Sequence, residues 1–169
     1  NAPSSSAIRF IFTSSTATYG QPLPSTVTPT TACFPAGAYG FAKLLGEYFV
    51  SEYTRKDYIE GISCKLPTIV VRPGPPSRAT SAFVSGIIRE PLHGEEAVCP
   101  IGTGVDDEAL EETKLFVASA GVTLKNLALA AKDVDLSKMM AHSRSVELPG
   151  FTVSVKEEID ALRKVAGDE

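Results

Sequence analysis

Basic residues are not in excess in this chain: 16 Lys and Arg stand against 20 Asp and Glu, for a formal net charge of -4. With no basic patch interleaved with aromatics, nothing offers an electrostatic footprint for nucleic acid, and no such partner is expected. Long apolar runs are also missing, so no membrane span is expected. Cysteine is scarce. Cys33, Cys64 and Cys99 are odd in number and widely spaced, which argues against a disulfide framework and fits a reducing, cytoplasmic setting. None stands at a metal-ligand spacing from His93 or His142, so no metal site is expected, and each cysteine is expected to pack as a small apolar residue. No secretory signal pattern occupies the first residues, and Asn1 to Ser6 reads as a polar, disordered end. A Gly-x-x-Gly-x-x-Gly turn, which cradles a pyrophosphate at a helix start, is absent. The glycine pair Gly102-Thr103-Gly104 follows Pro100 and precedes an acidic run, and does not read as a substitute. That run, Asp106 to Glu112, reads as a solvated face.

What is present suits a globular core: 43% of the 169 residues are hydrophobic. Ala7 to Thr13 is a nearly continuous apolar run and reads as a buried parallel strand. Ser14 to Pro35 is rich in Ser, Thr and Pro and reads as loop. Gly37 to Arg55 reads as a helix with two apolar rows: Phe41, Leu45 and Tyr48, then Ala42, Phe49 and Tyr53. Gly61 is a plausible stop before a strand Ile62 to Val71, which ends at Arg72-Pro73-Gly74. Ala82 to Arg89 reads as a short helix closed by Pro91. Leu115 to Ala118 is a short strand, Val122 to Lys132 a helix, Leu136 to Met140 a helical patch and Val146 to Leu148 a short strand. Ser154-Val155-Lys156-Glu157 is a capping box opening a last helix, whose buried stripe is expected at Ile159, Leu162, Val165 and Ala166.

The chemistry-bearing stretch is Tyr39-Gly40-Phe41-Ala42-Lys43. A Tyr and a Lys four apart on a helix share one face. An ammonium beside a phenol favours the phenolate, so the pair can exchange a proton with a substrate hydroxyl. Upstream, Phe12-Thr13-Ser14-Ser15 ends a strand in hydroxyls able to hold that oxygen, and Gly46-Glu47 follows the lysine. The plainer readings stand beside this one: Ser15 can cap its own turn, and Tyr39 and Lys43 can be an ordinary helix face.

The stretches "RFIFTSSTATYG" (Arg9 to Gly20) and "YGFAKLLGEYFVSEYTRK" (Tyr39 to Lys56) resemble the fifth strand with its serine turn and the catalytic helix of the extended short-chain dehydrogenase/reductase family, the NAD-dependent epimerases and dehydratases. "LPTIVVRPGPPSRATSAFVSGIIREPLHGEEAVCPI" (Leu66 to Ile101) and "VELPGFTVSVKEEIDALRKVAG" (Val146 to Gly167) are similar to its D-erythronate dehydrogenase branch. The resemblance implies an α/β fold: the C-terminal half of a Rossmann-like parallel sheet over residues 1-78, plus a small α/β substrate-binding portion over 79-169.

By the same resemblance Ser15, Tyr39 and Lys43 are catalytic, as hydroxyl holder, base and tuner of the base. Tyr39 and Lys43 also hold the cofactor, NAD or NADP, and Pro73 and Gly74 lie against its nicotinamide end, where the plainer reading is a strand-ending turn. Ser15, Ser81 and Arg89 are expected to contact a small sugar acid or sugar derivative. Arg89 can clamp a carboxylate, or can be a solvated arginine at a helix end. The resemblance further implies a homodimer through the 37-55 helix. Ser119-Ala120-Gly121 stands where the branch carries Ser-Pro-Arg, Ala38 where a serine commonly precedes the tyrosine, and Glu147 where an asparagine precedes Leu-Pro-Gly. With the glycine-rich turn absent, the chain reads as the second half of an oxidoreductase, or alternatively as a non-catalytic truncated fragment or interaction module.

Overall fold

The computed structural model describes residues 7–74 and 81–167. The expectation for Asn1 to Ser6 and the boundary drawn at residue 78 lie outside these residues. The chain divides into two compact units, one formed by 1–67 with 123–149 and the other by 68–122 with 150–169.

The first unit is a parallel three-stranded sheet in the order β1 (Ile8–Ser15), β2 (Ile59–Leu66), β5 (Ser145–Glu147). Its long helix is α1 (Ala38–Arg55). Register places Ser14 beside Lys65 and Ser15 beside Leu66, so β1 runs two residues further than its apolar pattern predicts. Strand β2 begins at Ile59, ahead of Gly61, and ends at Leu66. Gly61 is therefore no stop. A Cβ there would come within 2.6 Å of Val50 Cγ1 and 2.7 Å of Thr54 Oγ1, so its bareness lets α1 lie on the strand. The predicted strand Ile62 to Val71 is instead broken at Pro67, which has no N–H for a ladder. The core of this unit is Ile62, Cys64, Ala130, Leu136 and Leu148. Cys64 is wholly buried there, and burial pushes its thiol up to about 11.

Helix α1 buries Gly40, Glu47, Val50 and Thr54, while Phe41, Leu45, Tyr48, Phe49 and Tyr53 stay exposed. Both aromatic rows thus face away from the sheet, and the buried face of the helix is Gly40, Val50 and Thr54 together with the charged Glu47. At the sheet's edge, β1 pairs only with β2 among the described strands, and Ile8 and Phe10 are exposed.

The second unit holds β3 (Thr68–Val70), α2 (Ala82–Arg89), α3 (Glu108–Glu112), β4 (Lys114–Ser119), β6 (Phe151–Ser154) and α5 (Val155–Ala166). Its sheet order is β3-β4-β6, with β4 parallel to β3 and antiparallel to β6. Helix α4 (Ala120–Lys132) follows β4 directly, its residues from Thr123 on belonging to the first unit. Asp106, Glu108, Glu111 and Glu112 of the acidic run are exposed, as expected of a solvated face. Asp107 caps α3 by accepting from the Ala109 amide, and Leu110 is buried under it. Ser154 and Glu157 form the reciprocal cap that the sequence predicts. The expected stripe on α5 is displaced, however. Val155 and Glu158 are buried, whereas Val165 and Ala166 are exposed, because the helix packs through its first turns.

Candidate functional site

At the carboxyl end of β1 the chain turns through Ser15 into a single 3-10 turn, Thr16–Thr18. Ser15 Oγ accepts from the Ala17 amide at 3.1 Å, so the serine does cap its own turn. Its hydroxyl hydrogen points elsewhere by necessity and remains a donor for another oxygen. The Thr18 hydroxyl closes the turn from the other side, donating to the Ser15 carbonyl at 3.0 Å.

The first turns of α1 lie against this turn. A Cβ on Gly40 would sit 2.3 Å from the Ala17 carbonyl oxygen and 3.0 Å from Pro35 Cβ, so only glycine permits the approach. Tyr39 precedes Gly40 and is 62% exposed. One turn on, the Lys43 ammonium stands 5.7 Å from the Tyr39 ring centroid and 5.2 Å from that of Phe12. It donates to the Thr13 carbonyl at 2.7 Å, using one of its three hydrogens. The helix face carrying Tyr39 and Lys43 is thereby tied to the strand that ends in Ser15. Gly40→Ala is expected to cost about 1 kcal/mol of stability, because overpacking against backbone outweighs the gain in helix propensity. Denaturant unfolding checks it; an alanine variant as stable as the wild type would mean that helix and turn are not in contact.

Behind the turn lies a buried polar network that the sequence reading missed. Glu47, one turn beyond Lys43, accepts from the Ser14 hydroxyl on one oxygen and from Ser145 Oγ at 2.8 Å on the other. Lys65 Nζ meets the same Glu47 Oε2 at 3.0 Å. It also donates to Thr18 Oγ1 at 2.7 Å and Cys33 Sγ at 3.4 Å, and lies 4.6 Å from the Tyr19 ring centroid. Cys33 is therefore not the small apolar packer expected, since its sulfur accepts from an ammonium. Burial, and after it the Glu147 carboxylate, push the Tyr19 phenol above its ordinary range. Two signals could have exposed the network: Glu47 directly follows a glycine one turn past the lysine, and Lys65 is the lone charge in an otherwise buried strand end.

The remaining sequence-derived residues belong to the second unit. Pro73 and Gly74 are exposed in the turn after β3, with Gly74 at φ 93. Val71 just before them has φ 52, a backbone region that β-branched residues rarely enter. Ser81 precedes α2, is exposed and makes no side-chain cap. Arg89 is half-buried, donates to the Arg72 carbonyl at 3.0 Å and pairs with the Glu90 carboxylate. It thus braces the turn that holds Pro73 and Gly74.

The residues present fit one end of a dinucleotide. A phenol and an ammonium on an exposed helix face, at the carboxyl ends of parallel strands, suit a nicotinamide ribose. Among the described residues nothing comparable fits a pyrophosphate. At Gly102-Thr103-Gly104 the Thr103 amide and hydroxyl both donate to Asp107 Oδ2, at 2.8 and 2.9 Å, so a carboxylate occupies the place of an anion. Among the described residues, no group of three or more His, Cys, Asp or Glu is arranged to hold a metal ion. None of the described helices is long and apolar enough to cross a membrane.

Residues 2–107 match the model of the NAD dependent epimerase/dehydratase family. The chain is 41% identical over 161 residues to the D-erythronate dehydrogenase of Haemophilus influenzae, covering 95% of this chain and 48% of that protein. It is equally 41% identical over 161 residues to the D-erythronate dehydrogenase of Cupriavidus necator, covering 95% and 46%. Among solved structures, the nucleoside-diphosphate-sugar epimerase of Agrobacterium tumefaciens superposes with a TM-score of 0.85 at 38% identity, over 96% of this chain and 44% of that one. The chain spans about half the length of the relatives it matches.

Proposed function

Because this chain belongs to the NAD dependent epimerase/dehydratase family, we propose that it carries the hydroxyl-oxidising part of an NAD-dependent dehydrogenase acting on a small sugar acid. The observation that carries this reading is the Lys43 ammonium, held to the Thr13 carbonyl and 5.7 Å from the Tyr39 ring, beside the strand that ends in Ser15. Tyr39 takes the proton from the substrate hydroxyl, and Lys43 favours the phenolate that does so. Ser15, oriented by the Ala17 amide, donates to the substrate oxygen as negative charge gathers there. When bound, NAD supplies the hydride acceptor, chemistry that belongs to the cofactor. The sugar-acid class rests on the named activity of the two relatives, and Ser81 and Arg89 are proposed to face that substrate.

A direct test is to titrate the chain with NAD while following its melting temperature, then to add D-erythronate and follow NADH absorbance. A ligand that binds only the folded state raises the melting temperature by mass action. A rise with NADH formation supports the reading. No rise and no NADH at millimolar NAD favours the second reading, a non-catalytic fragment or interaction module, which the span of about half the relatives' length motivates.

We further propose that copies of the chain associate through the exposed aromatic rows of α1. Phe41, Leu45, Tyr48, Phe49 and Tyr53 together form an apolar face of a kind that monomers rarely expose. Sedimentation is expected to give a mass rising with concentration, and Tyr48→Glu to shift it toward the monomer. A strictly monomeric wild type would remove this proposal.

A further inference from the structure

The sequence singles out Glu47 beside the proposed base, and the mechanism gives it no task. Its surroundings do. Glu47 and Lys65 are both deeply buried, 4% exposed each, where a charge is costly unless it is paired and fully hydrogen-bonded. Their bonds reach both flanks of the serine turn and strand β5. Glu47 holds Ser14, the neighbour of Ser15, and Ser145 on β5. Lys65 holds Thr18, whose own hydroxyl holds the Ser15 carbonyl. Ser15 is thus gripped from both flanks by one ion pair, and the pair's acid stands on the same helix as Tyr39 and Lys43.

We propose that Glu47 and Lys65 are positioning residues of this site: the buried pair sets the Ser15 turn against the helix face that carries the base. The inference rests on the catalytic reading of Ser15, Tyr39 and Lys43. Neither residue touches substrate; both act through the Ser14–Thr18 turn. A neutral pair of similar size would fill the same volume without an unpaired charge, but it would not fix the turn. Such pairs are poor evidence for stability, because desolvating both charges offsets much of their attraction. What points to positioning here is that the bonds of the pair end on the serine turn.

The test is amide hydrogen exchange by NMR, which reads the turn whether or not the chain turns over. The Tyr19 amide bonds the Thr16 carbonyl and the Phe34 amide bonds the Tyr19 carbonyl, so both report on the turn. The Ser63 amide bonds the Arg144 carbonyl and reports on the core strand. In Glu47→Gln and in Lys65→Met, exchange at Tyr19 and Phe34 is expected to quicken about tenfold or more relative to Ser63, as local opening separates from global unfolding. Lys65→Arg, which keeps the charge, is expected to restore slow exchange. The double variant, Glu47→Gln with Lys65→Met, is expected to recover stability while the turn stays fast. Equal quickening at all three amides, or a double variant with a slow turn, would overturn the proposal and leave the pair a plain packing element. Where the wild type oxidises D-erythronate, kcat is expected to fall about 10-fold or more in Lys65→Met with KM little changed, since small misplacements act on the reacting geometry. A wild type without turnover would count against the catalytic reading alone, and the exchange result would still decide whether the pair holds the turn.

Discussion

Replacing Tyr39 with phenylalanine is expected to lower NAD-dependent oxidation by about 10²–10⁴-fold, the usual worth of a positioned general base. The substitution removes one oxygen from a ring that is 62% exposed, so no buried polar group is orphaned and no cavity opens. The Lys43 ammonium still has the Thr13 carbonyl and the Phe12 ring, which keeps the helix face tied to β1. Stability should therefore change by less than about 0.5 kcal/mol, as for most surface substitutions. The measurement pairs turnover with a melting curve in a preparation whose wild type is active. Undiminished turnover would exclude Tyr39 as the base. A large fall in melting temperature would show instead that the ring is structural.

The second large effect concerns Glu158 on α5. Its side chain is 6% exposed, one carboxyl oxygen has no hydrogen-bond partner among the described residues, and burial pushes the group up to about 7. The folded-state value is raised above that of the unfolded chain, so folding binds a proton across the interval between about 4.5 and about 7. Stability from this group is full below the unfolded value and is lost as pH rises through the folded one. The full shift corresponds to about 3 kcal/mol, and solvent screening and relaxation reduce this to about 2 kcal/mol. Glu158→Gln is neutral at every pH, and should be more stable than wild type by that amount at pH 8 and nearly equal to it at pH 4, below the unfolded value. Urea unfolding at the two pH values decides. An equal difference at both would mean that the carboxyl finds a partner or water on ionising.

The α/β pattern and most helices were legible because their signals are local. The Ser154–Glu157 cap lies within four consecutive residues, and the apolar runs of β1 and α1 are strong enough to survive any context. The misplaced elements depend on distant partners. Gly61 reads as a terminator in isolation, yet inside β2 it is the clearance that admits α1. Phe151–Ser154 carries too few residues to announce a strand, and becomes one only because β4 offers an antiparallel edge. Of the site, Tyr39 and Lys43 were legible from spacing on one helix. The Glu47–Lys65 pair was not, because its members are joined by the register of β1 with β2 and by the docking of α1, neither of which the sequence displays. Cys33 failed for the same reason: it sits in the loop before α1, and its neighbour is a lysine of β2.

The parallel pairing of β2 with β5 joins Ser63 to Ser145, and the chain between them includes β3, α2, α3, β4 and α4. During synthesis, β1, α1 and β2 therefore emerge well before the strand that completes their sheet. Until Ser145 arrives, Glu47 lacks one of its hydroxyl donors, and Ile62 and Cys64 wait for Leu136 and Leu148 to cover them. The nascent chain spends that interval with an open strand edge and an unfinished core, the state most exposed to aggregation and to proteases. A ribosome pausing between Val122 and Ser145 would lengthen this interval, whereas a pause after Pro149 would act on a first unit whose strands have all been made.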